Sequence, residues 1–380
     1  MRRTIFEDVH DQFRQTARTY YEKECVPHAD EWERAGQASR EAWLKAGAQG
    51  LLGWEMPEEY GGSGVSDFRF NAIVTEEYWL TGSVGVGFGV QNDIMAPYLL
   101  DLTTDEQKGR WLPGVCTGEI ITALAMSEPG AGSDVRGIST TARRDGDHYV
   151  INGAKTFISN GLMADLVLVA CKTDPDAGHK GISMIVVEDG TPGFSRGRKL
   201  DKIGQKAQDT AELFFEDVRV PVTNLLGEEG RGFYYMMRNL PKERLGIAVH
   251  AVACSRRAYE LSLAYAKERE AFGQPIGTFQ VNRHALAEIR TKIEVMQTYL
   301  DHCIVAVNAG ELTPEEAAGA KWWTTETQWE ILDRCLQLHG GYGYINEYEI
   351  ARLWRDARVQ RLYGGTNEIM KDLIGRSMGL

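Results

Sequence analysis

The 380-residue chain lacks the usual marks of several protein classes. It has no CxxC pair, no HExxH and no Cys/His set at ligand spacing, so a metal centre is not expected. Its cysteines (Cys25, Cys116, Cys171, Cys254, Cys303, Cys335) are few and scattered, which excludes a disulfide framework and reads as small buried apolar residues. No apolar run is long enough to span a bilayer; the longest uncharged stretch, Tyr78 to Asn92, is glycine-rich and short. Arg2 and Arg3 are followed by no long apolar segment, so no signal peptide is expected and the compartment is read as reducing cytoplasm. Positive charge is in deficit. A net charge of −12 argues against a general nucleic-acid binder, although a local arginine pocket could still hold an anion.

What is present is ordinary globular composition, 43% apolar and 25% charged, in a chain longer than one compact domain. Texture divides it into 1–120, 121–229 and 230–380. The first part reads as helices: Phe6, Val9, Phe13 and Ala17 recur at helical spacing, a glycine loop spans 57–65, and Val84 to Leu100 reads as a buried helix. In the middle part, β-rich runs flank Asn152-Gly153, a hairpin signal, and further strands are expected at Leu166–Cys171, Ile182–Val187 and Glu212–Val218. This predicts an antiparallel β-barrel or sandwich. The last part reads as long helices: one opening at Pro241 and ending near Phe272, one over Phe279–Asn308, and one capped by Thr313-Pro-Glu-Glu316 and stopped by Gly340-Gly341. Shorter helices follow over 347–359 and from Thr366 onward.

Three motifs have chemical potential. In Ser127-Glu-Pro-Gly-Ala-Gly-Ser-Asp134, small residues between hydroxyls let backbone N–H groups approach a planar or phosphorylated ligand; a tight surface turn explains the same residues equally well. Gly364-Gly-Thr-Asn-Glu368 leads glycines into a helix N-terminus, which suits an anion, or is simply a bend. In Pro241-Lys-Glu-Arg244, a carboxylate is expected in the first turn of a long helix, where the dipole favours it.

The combination resembles the acyl-CoA dehydrogenase family. The blocks 125–134, 151–161, 207–217, 269–280, 337–341 and 363–368 match that family's signatures in order and spacing, over nearly the whole chain. The resemblance implies an α+β architecture: an N-terminal helical domain, a middle β domain and a C-terminal four-helix bundle. It implies FAD as cofactor, contacted by Met126, Ser127, Gly132, Ser133, Phe157, Ser159, Thr366, Asn367 and Glu368. Arg269, Phe272, Gln280, Gln337 and Gly341 would reach the FAD of a neighbouring subunit, so a homotetramer built as a dimer of dimers is expected. Ser133, Arg244, Tyr363 and Gly365 become candidate contacts for the acyl thioester. An electron-transferring flavoprotein is the expected electron acceptor.

One position departs from the family pattern. Many members carry the catalytic glutamate directly after the tyrosine matching Tyr363, and this chain has Gly364 there. The long-chain and isovaleryl branches are similar to this chain in placing it on the long C-terminal helix, at the position of Glu243. The resemblance therefore implies Glu243 as base and the Gly364 N–H as oxyanion donor, in an enzyme that oxidises a saturated acyl-CoA. An acyl-CoA oxidase or flavin monooxygenase on the same fold, and an inactive flavin-binding scaffold, are the rival readings.

Overall fold

The computed structural model describes residues 3–380; Arg2, named above, lies outside them. Six helices come first: α1 (Asp8–Tyr20), α2 (Ala29–Ala35), α3 (Arg40–Ala48), α4 (Phe68–Leu80), α5 (Ala96–Asp101) and α6 (Asp105–Thr117). These short helices and the turns beside them carry Tyr20, Tyr21, Trp32, Trp43 and Trp54 into one core. The buried carboxylates Glu76 and Glu77 on α4 are held by Arg3, Arg14 and Arg18, which ties α1 to α4. The stretch expected as one helix over 84–100 is only partly helical. Residues 82–87 are extended or bent, and a wide π-turn over Val90–Met95 precedes α5. Gly87 explains the break, because a Cβ there would meet Gln208 Oε1 at 2.4 Å, so backbone and β-domain loop touch directly.

The middle of the chain forms β1 (Thr122–Ala125), β2 (Thr141–Asp145), β3 (His148–Ser159), β4 (Leu166–Lys172), β5 (Ile182–Glu188), β6 (Phe194–Lys199), β7 (Thr210–Pro221) and β8 (Leu225–Leu226). They make one sheet in the order β6-β7-β3-β2-β4-β5-β8, with β1 on β4. The β1–β4 pair is parallel, so the expectation of a purely antiparallel sheet is corrected. The three strands expected at 166–171, 182–187 and 212–218 are present.

Asn152-Gly153 is not a hairpin turn. β3 runs straight through it, and the turn lies at Gly146, which has φ +66°. The ladder with β7 shifts register there, between Ile151 and Gly153. Asn152 exchanges hydrogen bonds with Asp217 at 3.0 and 2.9 Å. A Cβ on Gly153 would lie 2.4 Å from Thr140 Oγ1. The glycine therefore serves a bulge and a close approach instead of a turn.

Five helices complete the chain: α7 (Gly232–Glu268), α8 (Gln280–Asn308), α9 (Pro314–His339), α10 (Glu349–Ala357) and α11 (Asn367–Ser377). The capping box of α9 is formed, with Thr313 Oγ1 accepting from Glu316 N and Glu316 Oε2 accepting from Thr313 N. α7 begins nine residues before Pro241, so the proline lies inside the helix and Glu243 is in its interior. Apolar seams of α4, α7, α8 and α9 meet in a second core through Leu245, Val249, Val252, Ile293, Met296 and Leu332. Each such side chain contributes roughly 1.5–3 kcal/mol of burial free energy.

All six cysteines are free and buried. Among the described residues, no helix is long and apolar enough to cross a membrane, and no His/Cys/Asp/Glu group could hold a metal ion.

Candidate active site

Glu243 is 8% exposed and opens the stretch Glu243–Val249, every residue of which is buried. Its carboxyl group makes no hydrogen bond to any described residue. Burial pushes its pKa up to about 8; neighbouring Arg244 opposes the shift and Asp93 adds to it. The first-turn dipole argument does not apply, since more than two helical turns precede the residue. A carboxyl group that is buried, unbonded and mostly protonated at neutral pH is unusual for a structural residue and suits proton transfer.

The turn after α10 lies over the same face of α7. Arg244 Nε donates to Gly364 O at 3.2 Å, and a Cβ on Gly364 would fall 2.4 Å from Ile247 Cδ1. Gly364 and Gly365 have φ of +66° and +88°. A side chain at 364 would thus be strained and would also strike the residue one turn beyond Glu243. Ile247 and the positive φ together favour glycine at 364, where many relatives of this pattern carry a glutamate.

The Gly364 N–H donates no hydrogen bond within the described residues. The turn is anchored from below by Lys321, 0% exposed, whose Nζ donates to Gly365 O and to Asn367 Oδ1, both at 2.8 Å. Burial, with Arg244 nearby, lowers the Lys321 pKa to about 7. Asn367 also bonds Thr325 and Glu326, so its side chain is fully engaged in holding the turn. Sequence reasoning missed Lys321. A charged residue in the α9 pattern Ala320-Lys-Trp-Trp323 was the available signal.

On the β-domain edge, Phe157 is 70% exposed with φ +59°, at a second register shift of β3 against β7. An exposed aromatic ring on strained backbone needs a reason, and a planar ligand stacking on it supplies one. Ser127 and Ser159 leave their hydroxyls without partners, while Gly132 and Ser133 are exposed on the loop that follows. That loop is held by a buried ion pair: Lys155 Nζ donates to Met126 O at 3.0 Å and to Glu128 at 2.9 Å, and Glu128 also receives Ser139 N and Thr140 N.

The loop after β6 links this edge to the glycine turn. Gln205 N donates to Asp356 Oδ1 at 2.6 Å, and Gln208 Nε2 donates to Asn160 Oδ1 at 2.7 Å. Thr366 caps α11, and Glu368 is exposed in its first turn. Tyr363 is partly buried beside them, its phenol pKa raised by burial.

A second group lies elsewhere. Arg269, Gln337 and Gly341 line a cleft of about 440 Å³ with Tyr265 and Tyr342. Phe272, 95% exposed with φ +54°, and exposed Gln280 stand beside it. Glu243 and Arg269 are 26 residues apart on one straight helix and its cap, about 39 Å at 1.5 Å per residue. The two groups therefore lie at opposite ends of the long helix.

The acyl-CoA dehydrogenase N-terminal, middle and C-terminal domain families match residues 7–119, 123–218 and 230–379. The mitochondrial long-chain specific acyl-CoA dehydrogenase of Sus scrofa is 48% identical over 99% of this chain and 88% of its own length. A crystal structure of an acyl-CoA dehydrogenase from Geobacillus kaustophilus is 49% identical, with TM-score 0.96 and 99% of each chain covered. A glutaryl-CoA dehydrogenase from Mycobacterium smegmatis, solved in complex with FADH2, is 27% identical with TM-score 0.91 over 98% of this chain and 95% of that one. The bare hydroxyls and the exposed Phe157 ring fit such a flavin, and FAD is the cofactor of this class of enzyme. The chain belongs to the acyl-CoA dehydrogenase family.

Proposed function

We propose that this enzyme oxidises a saturated acyl-CoA to the trans-2-enoyl thioester, with Glu243 removing the α-proton. The observation that carries the reading is a buried carboxyl group, free of hydrogen bonds, beneath a glycine turn whose N–H is also free. The Glu243 carboxylate takes the proton from Cα, and its raised pKa brings it into the range where a base works at neutral pH. The Gly364 N–H donates to the thioester oxygen, where negative charge develops as the proton leaves. Arg244, Lys321 and Asn367 keep that turn in place. Arg244, Tyr363, Gly365 and Ser133 are proposed to border the thioester. Exclusion of water follows from burial of Glu243 between α7 and the turn.

FAD would be held by Met126, Ser127, Gly132, Ser133, Phe157, Ser159, Thr366 and Glu368, and by the backbone of Asn367, whose side chain is already engaged; when bound it supplies the two-electron acceptor for the hydrogen leaving Cβ. Arg269, Phe272, Gln280, Gln337 and Gly341 are proposed to contact the FAD of another subunit, because the length of α7 separates them from Glu243. This supports a homotetramer made as a dimer of dimers. An electron-transferring flavoprotein is proposed as acceptor, on the family resemblance, and cytoplasm as the compartment. Domain limits of 1–120, 121–229 and 230–380, a barrel-like closure of the sheet and a four-helix bundle from α7, α8, α9 and α11 complete the reading. The test is anaerobic bleaching of the FAD-loaded protein by a saturated acyl-CoA, repeated with Glu243→Gln. Bleaching that survives the substitution unchanged would overturn the assignment.

A further inference from the structure

Beyond Glu243, the same face of α7 continues through Gly246 and Ile247 to His250, and the π-turn carrying Asp93 packs against it. Asn71 Nδ2 donates to Asp93 Oδ1 at 2.8 Å, which leaves Oδ2 without a partner. Trp79 Nε1 donates to His250 Nδ1 at 2.6 Å. An indole nitrogen only donates, so Nδ1 is the bare nitrogen and the neutral ring carries its proton on Nε2. Burial lowers the His250 pKa to about 4, in keeping with a neutral ring. Nε2 has no partner either, and the ring is only partly covered although it lies between α4 and α7.

Gly89 shows where the two bare atoms point. A Cβ built on it would lie 3.4 Å from Asp93 Oδ2 and 3.7 Å from His250 Nε2, with no third heavy atom from outside its own turn within 4 Å. The two polar atoms are therefore about 7 Å apart at most and face the same space. They make no hydrogen bond or ion pair with each other. Asp93 Oδ2 also lies 3.1 Å from a Cβ built on Gly246, three residues beyond Glu243, about 4.5 Å along the axis. One donor and one acceptor thus sit a few carbons past the place assigned above to the α-carbon.

We propose that Asp93 and His250 form a polar subsite in the acyl channel that takes a hydroxyl group carried on the substrate chain, which accepts from His250 Nε2 and donates to Asp93 Oδ2. The inference rests on the Glu243 reading above. Lys242, whose charge acts on Asp93, is itself held by Glu55 at 2.8 Å and makes no bond to Oδ2. A plain alkyl chain lying past Glu243 would leave both groups unpaired, which is how such sites reject the analogue lacking the polar group.

The experiment compares kcat/KM of the FAD-loaded enzyme for decanoyl-CoA and for hydroxydecanoyl-CoAs with the hydroxyl moved one carbon at a time from the fourth to the eighth position. One position is expected to exceed decanoyl-CoA by about tenfold or more. That ratio should fall to about one in Asp93→Leu and His250→Phe. Gly89→Ala, whose methyl group meets only ordinary contacts and occupies the space between the two atoms, should abolish it even where the other variants fold poorly. Equal use of every isomer and of decanoyl-CoA, or a preference that survives Gly89→Ala, overturns the subsite. That result leaves the base assignment standing, provided decanoyl-CoA is oxidised and Glu243→Gln stops it. If no saturated thioester reduces the flavin, both readings fall.

Discussion

Two carboxyl groups buried close together, Glu243 and Asp93, set the properties of the site. Replacing Glu243 by Gln removes the proton acceptor while keeping shape, and the rate of flavin reduction should fall by about 10²–10⁴-fold. Stopped-flow absorbance with the FAD-loaded protein checks this. The base must be ionised to act, so kcat/KM of the free enzyme should rise with pH up to about 8 and then level off. The linkage to stability has the opposite sign. Folded pKa values of about 7 for Asp93 and about 8 for Glu243 lie above their unfolded values of 3.8 and 4.5. Between those limits the folded state binds more protons than the unfolded one, so stability falls as pH rises. The double variant Asp93→Asn, Glu243→Gln should show a flatter dependence of Tm on pH from the carboxylate range to pH 8, measured by thermal denaturation. Nothing local in Pro241-Lys-Glu-Arg244 reveals that Glu243 is buried. That residue was legible only through the family blocks, and the dipole argument made from its neighbours was wrong because the helix starts earlier.

Elements were read well where their ends carry their own chemistry. Thr313-Pro-Glu-Glu316 announces a helix start, and the reciprocal bonds are present. Thr313→Ala should destabilise the protein by about 0.5–2 kcal/mol with kcat and KM unchanged, read from urea denaturation and steady-state assays. Reading failed where tertiary packing reassigns a residue. Pro241 was taken as a helix start because proline fits the first turn, yet the apolar face of Tyr235 and Met236 packs against β-domain residues and carries the helix backward past it. Asn152-Gly153 was taken as a turn, but Thr140 and Asp217 use it as a bulge inside one long strand. The parallel β1–β4 pair was equally invisible, since a four-residue strand has no periodicity to read.

At the scale of the molecule, the most exposed large apolar residues include Phe272, Tyr344 at 87% and Ile203 at 79%. Phe272 sits on strained backbone next to the Arg269 cleft, a poor arrangement for a surface facing only water. Light scattering should therefore report an oligomer, and Phe272→Asp should lower both its mass and its FAD occupancy, measured by absorbance of the purified protein. Retention of full flavin content in a monomeric variant would count against the shared site.

The single long helix that runs from Glu243 to Arg269 has a genetic consequence. If, as proposed, each rod serves its own reaction at one end and a neighbour's at the other, two crippled alleles need not stay crippled together. Subunits bearing Glu243→Gln and subunits bearing Arg269→Ala, each poor when made alone, should regain activity on co-expression, because some mixed assemblies gather both lesions into one pocket and leave another intact.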